Sequence, residues 1–318
     1  MSSKLLDKCV VCGDKACELI EKSNDEFDIQ FETNIIDRYL SYSPIGDHNS
    51  LKEQILQYYQ KFDNNCYECV PIAKPFTDYS YQFTEAESKK LTELLNASLF
   101  MKNHFTGGTI IEAKTIGDFY VHWVPKVESD LKNLVSMSKC LTGFENLCDN
   151  DRICLMKYGS SEISHLRMIE FFNFVDNYWT ILNNNNYSIV VKLDTLNSFR
   201  QFPIDWKNDY FLKSVSDWDP DPIILDLLTA IMLFNPNRSN LMYSHVIKLQ
   251  QRVYLYLLQR YLLMKYRCKD LSKSRFINLM QMLSKLTLMC KLLRVCLRKD
   301  KPKLPDKRSL YQEIYDLK

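Results

Sequence analysis

Two adjoining segments, Met137-Ser-Lys-Cys-Leu-Thr-Gly-Phe-Glu-Asn-Leu147 and Asp151-Arg-Ile-Cys-Leu-Met-Lys157, hold the most informative punctuation in this chain. Val127, Leu131, Leu134 and Val135 lead into the first segment at helical spacing. That helix reaches Lys139. A second helical pattern starts near Asp149 and carries Ile153, Leu155, Met156, Ile163, Leu166, Met168, Ile169, Phe171 and Phe172. Apolar residues on more than one side mark a central helix, buried by neighbours on several faces; the periodicity carries it to Leu182.

Outward from these segments the pattern stays helical. Thr84 followed by Glu87 has capping-box spacing, and Leu91, Leu94 and Leu95 follow it. Pro125 suits the first turn of the helix that ends at Lys139. Asn183 to Asn186 is a break, and Tyr187 to Leu193 (YSIVVKL) reads as β. Helices then follow from Asp219-Pro-Asp-Pro222 to Phe234, from Tyr243 to Tyr266 and from Ser274 to Arg298, with a last short amphipathic one over Ser309 to Leu317. The expected class is all-α with one small β element.

Composition excludes several functions. Of 318 residues 46% are hydrophobic and 25% charged, enough for a core, and 41 basic against 39 acidic side chains leave a net charge of +2. Bulk charge therefore does not hold this chain to nucleic acid or to a membrane surface. No apolar run approaches the ~20 residues of a membrane helix, and Lys4, Asp7 and Lys8 interrupt any secretory leader. The seven glycines include no GxGxxG or phosphate-binding loop, and the five histidines no HExxH. The chain does not read as an enzyme, and no cofactor is required. Eleven scattered cysteines fit a reducing compartment.

The two opening segments resemble the nuclear hormone receptor ligand-binding domain. Met137 to Leu147 is similar to that family's FAKxLPGFxxL, with Thr142 in place of Pro, and Asp151 to Lys157 to its DQIxLLK, with Arg152 in place of Gln. Further blocks follow in order: Leu233-Phe-Asn-Pro-Asn-Arg-Ser-Asn-Leu241, Val246 to Gln250, Arg275-Phe276 to Leu286, and Leu310-Tyr-Gln-Glu-Ile-Tyr315. Thr287 stands where Arg is usual. The blocks look closest to invertebrate relatives of the vitamin D and pregnane X receptors. The resemblance implies a three-layer antiparallel sandwich of about 12 helices over residues 83–318, after a hinge over 18–82. Residues 1–17, with Cys9-Val-Val-Cys-Gly-Asp-Lys-Ala16, look like the opening of the family's zinc-finger DNA-binding domain. Cys9 and Cys12 would be half of a zinc site; the acidic run from Glu18 to Asp28 replaces the expected basic recognition helix. This predicts a spliced or truncated receptor form, with DNA contacted weakly if at all.

The resemblance also implies a function: ligand-regulated control of transcription in the nucleus, through LxxLL co-regulator helices docked in a groove. Val135, Ile153 and Met156 would form its floor, Leu310 and Ile314 of the C-terminal helix one side, and Lys139 and Glu313 a pair of charges at its ends. Pocket positions would be Trp123, Val127, Asp130, Ser164, His165, Met168, Met289, Leu293 and Cys296, around a sterol, fatty acid or xenobiotic. A retinoid X or ultraspiracle-type receptor is the implied dimer partner. The alternative is a DNA-binding-deficient isoform that sequesters co-regulators or a dimer partner. Glu162 and Arg167 read as partners in interhelical ion pairs.

Overall fold

A computed structural model describes residues 82–102, 109–183, 187–192, 195, 221–300 and 310–314. Cys9, Cys12 and the hinge lie outside the described residues. Eight α-helices fall within them: α1 (Glu85–Ser98), α2 (Ile116–Lys139), α3 (Thr142–Glu145), α4 (Asp149–Arg167), α5 (Pro222–Leu233), α6 (Ser244–Tyr266), α7 (Lys269–Asp300) and α8 (Leu310–Ile314). The strands are β1 (Thr109–Glu112), β2 (Phe172–Asn173), β3 (Tyr178–Asn183) and β4 (Tyr187–Lys192).

The helices form a sandwich around α5. Every side chain of α5 from Ile224 to Leu233 is buried, and the helix packs against α1, α4 and α6. Such a helix has no solvent face, so its apolar character all round matches its central place. Helix α1 starts with the capping box anticipated from Thr84 and Glu87, each side chain bonding the other's backbone N–H. Helix α5 starts at Pro222 under the Asp221 carboxylate, which accepts from the N–H groups of Ile223 and Ile224.

Two boundaries differ from the sequence expectation. Pro125 lies inside α2, not in its first turn, because a capping box of Thr115 and Asp118 starts the helix nine residues earlier. Phe119, Trp123, Val127 and Leu131, all buried, continue one stripe at four-residue spacing through the proline. Tertiary burial of that stripe outweighs the ~3 kcal/mol cost of an interior proline.

The second difference is the end of α4. The helix stops at Arg167, passes through a 3-10 turn over Met168–Phe171, and becomes strand. The Asn173 side chain accepts from the N–H groups of Val175 and Asp176, and Asn177 takes a left-handed φ of 53°, which together fold a β-hairpin. That hairpin joins β2 to β3; β3 then pairs antiparallel with β4, where Trp179 faces Val191 and Ile181 faces Ile189, all four buried. The small β element is thus a four-stranded sheet, ordered β1-β4-β3-β2, with β1 parallel to β4. No helix among the described residues is long and apolar enough to cross a membrane.

Candidate functional site

Helix α8 packs against both α2 and α4. Three helices thereby bring apolar side chains to one surface. Val135 on α2 and Ile153 on α4 are exposed by 38% and 65%, and Leu310 on α8 by 44%. Met156 and Ile314 are half-buried and pack on the core beneath. Helical spacing aligns these residues: Ile153 with Met156, and Leu310 with Glu313 and Ile314. Ser138, buried, anchors the floor by donating to the Leu134 carbonyl at 2.7 Å and approaching Met156 Sδ at 3.7 Å. Lys139 ends α2 one turn beyond Val135, and both it and Glu313 are exposed. The patch is an apolar surface with a cation on one of its helices and an anion on another.

Beneath the surface, the frame is held by buried ions. The Arg238 guanidinium forks onto the Glu162 carboxylate with contacts of 2.7 and 2.5 Å, both side chains about 95% buried. Thr287 of α7 adds a hydroxyl at 3.3 Å from the same carboxylate. Nearby on α7, burial pushes the Lys291 amine down to about 8, partly opposed by the Glu162 charge. Asp151, at the start of α4, accepts from the N–H groups of Met242 and Tyr243. Those bonds hold its carboxyl below the usual range against the opposing effect of burial. Its contacts tie α4 to the turn before α6.

A narrow cavity of about 20 Å³, with room for little more than a water, lies between the 3-10 turn after α1, α2, α4 and β3. Trp123, Asp130, Ser164 and Met168 line it. Val127 and Met289 are buried in the apolar core and are not among its walls. His165 is buried too, its Nδ1 2.7 Å from the Ser161 carbonyl, which makes that nitrogen the proton donor, and its ring edge-on to Trp123. The side chains of Leu293 and Cys296, on α7, lie outside the described residues.

Sequence reasoning missed two-thirds of the wall. Lys126, Arg167, Glu170, Phe171, Trp179 and Ile181 also line the cavity. Lys126 pairs with Asp130 one turn along α2 and lies 5.3 Å above the Phe171 ring. Arg167 donates to Asp226 at 2.9 Å, to Thr229 at 3.2 Å and to Glu170 at 3.0 Å. Burial raises the carboxyl pKa of Asp130, Glu170 and Asp226, with the neighbouring cations opposing the rise. The i,i+4 spacing of Lys126 and Asp130 and the i,i+3 spacing of Arg167 and Glu170 were readable signals for two of these pairs; nothing local announces Asp226 as a partner.

The family model for the ligand-binding domain of nuclear hormone receptors matches residues 125–298, which include most of α2 and all of α3 to α6. The chain belongs to the nuclear hormone receptor ligand-binding domain family. Similar proteins include the nuclear hormone receptor HR96 of Drosophila melanogaster, 29% identical over 190 residues, covering 59% of this chain and 26% of HR96. Nuclear receptor ROR-beta of Rattus norvegicus is 29% identical over 127 residues, 39% of this chain and 26% of that protein. Nuclear receptor ROR-alpha B of Danio rerio is 26% identical over 204 residues, 64% of this chain and 40% of its own length. The chain therefore spans between about a quarter and two-fifths of these nuclear receptors.

Proposed function

We propose that this nuclear receptor domain regulates transcription in the nucleus by recruiting LxxLL co-regulator helices under the control of a hydrophobic small molecule. The observation that carries the reading is the packing of α8 against both α2 and α4, which leaves Val135, Ile153 and Leu310 exposed around one apolar surface. Exposed apolar clusters on helices suit an amphipathic partner helix. Each buried leucine of the partner contributes about 1.5–3 kcal/mol before the costs of association. Lys139 serves the carbonyl end of that helix and Glu313 its amide end, each worth about 0.3–1 kcal/mol through the helix dipole.

Ligand control rests on the cavity, whose walls come from the same α2 and α4 that carry the surface patch. At about 20 Å³ it is far smaller than the ~300–1,000 Å³ of small-molecule sites, so a ligand has to widen it on entry. A sterol, fatty acid or xenobiotic that widened it would act on both helices. Partnership with a retinoid X or ultraspiracle-type receptor is part of the same proposal, and DNA contact through Cys9 and Cys12 is not needed for it.

The experiment is fluorescence anisotropy of a labelled LxxLL peptide against the whole chain. Glu313→Lys replaces attraction with repulsion at the amide end and weakens the peptide by roughly 5- to 30-fold, from a cost of about 1–2 kcal/mol. Lys139→Glu does the same from the other end. The control is Glu85→Lys, in the first turn of α1. Equal affinities for wild type and both reversals would remove the charge pair from the account.

A further inference from the structure

We infer that the cavity selects neutral, hydroxyl-bearing ligands against carboxylic acids, because its two cations are already neutralised by carboxylates in its own wall. The inference rests on the ligand-sensing reading above and narrows it: of the three ligand classes, fatty acids are the one excluded in their ionised form.

The wall provides the argument. Four charged side chains line the cavity, Lys126 and Arg167 against Asp130 and Glu170. The Lys126 amine is engaged by Asp130, both side chains largely buried. The Arg167 guanidinium is 94% buried and spends one terminal nitrogen on Asp226 and Thr229, the other on Glu170. Counting Asp226, three carboxylates surround two cations. An entering carboxylate would lose its water and meet Asp130 and Glu170 without an unengaged cation to receive it, an arrangement that disfavours the anion strongly at low dielectric.

A hydroxyl meets no such penalty. It can donate to the Asp130 or Glu170 carboxylate, and its oxygen can accept. Arg167 Nε is a buried donor with no hydrogen-bond partner among the described residues. A buried unmet N–H costs about 1–3 kcal/mol; either head group could accept from it, so the choice between them falls to the wall carboxylates, which a hydroxyl can bond and an anion cannot. Trp123, Met168, Phe171, Trp179 and Ile181 supply the apolar remainder of the wall.

Bromododecanol and bromododecanoic acid, brominated at the chain end far from the head group, differ only in that head. Bromine quenches indole fluorescence, and Trp123 and Trp179 sit in the wall. At pH about 7.5 the alcohol should quench the whole chain saturably, and the acid should bind about tenfold or more weakly. Glu170→Gln and Asp130→Asn should each strengthen the acid relative to the alcohol, narrowing the gap by about threefold or more. Glu170 is the more exposed of the two and its variant is the safer for folding. If the acid binds as tightly as the alcohol, the charge selection is wrong while the cavity reading stands. If neither quenches, both fall.

Discussion

Arg238→Met should destabilise the domain by about 3–5 kcal/mol, the cost of leaving a buried carboxylate without its partner. Glu162 is 96% buried, and without Arg238 it keeps the Thr287 hydroxyl at 3.3 Å and the Lys291 amine nearby, whose own charge burial disfavours. Neither a neutral hydroxyl nor a desolvated amine replaces a forked guanidinium with contacts of 2.7 and 2.5 Å. For a domain of this size the loss corresponds to a fall in Tm of roughly 6–20 °C. Adding Glu162→Leu to the same chain should restore much of the stability, since removing both ions also removes their desolvation cost. Urea denaturation of the two variants against wild type reads both effects. A single-variant loss below about 1 kcal/mol would mean that the pair is solvated and does not tie α4 to the turn after α5.

A ligand that enters the cavity should raise Tm by roughly 5–11 °C at a concentration 100 times its Kd. Binding to the folded state alone stabilises it by about 2.7 kcal/mol under that condition. The effect is large because the walls belong to α2, α4 and β3, elements that also pack the core, so the site cannot exist in the unfolded chain. A panel of sterols, long-chain alcohols and hydrophobic xenobiotics, read by differential scanning fluorimetry, tests it. No shift from any member would favour side chains that fill the interior and leave no room for a ligand.

How much of this was readable beforehand depends on whether the physics was local. The capping box of Thr84 and Glu87, the helix from Asp149 and the interhelical ion pairs of Glu162 and Arg167 are local or family-pattern signals, and the structure has them. The hairpin at Tyr178–Asn183 was hidden because an apolar run such as Tyr-Trp-Thr-Ile-Leu fits either period. The turn chemistry of Asn173, Asp176 and Asn177 was the better guide. Pro125 misled for a related reason: a strong local breaker was overruled by the burial of Phe119 and Trp123 upstream of it.

The groove and the cavity divide along the same line. Val135, Ile153, Met156, Leu310 and Ile314 were named from the family resemblance alone. That α8 closes onto α2 and α4 is a long-range fact. Lys126 and Glu170 would each pass for solvated charges in the sequence. Only the packing of α2 on α4 and β3 turns them into a cavity wall. Val127 and Met289 show the converse, since apolar residues near a pocket fill the core as readily as they line a site.

The central claim is that α8 completes a docking surface for an LxxLL helix. The direct measurement is the affinity of one such peptide for the whole chain and for a chain ending at Ser309, which lacks Leu310, Glu313 and Ile314. Circular dichroism and urea denaturation of the shorter chain would establish that it stays folded. The account predicts saturable binding to the whole chain and a loss of about tenfold or more on removal of the helix, from the missing apolar contact and the missing anion. Equal affinity for the two chains would contradict it.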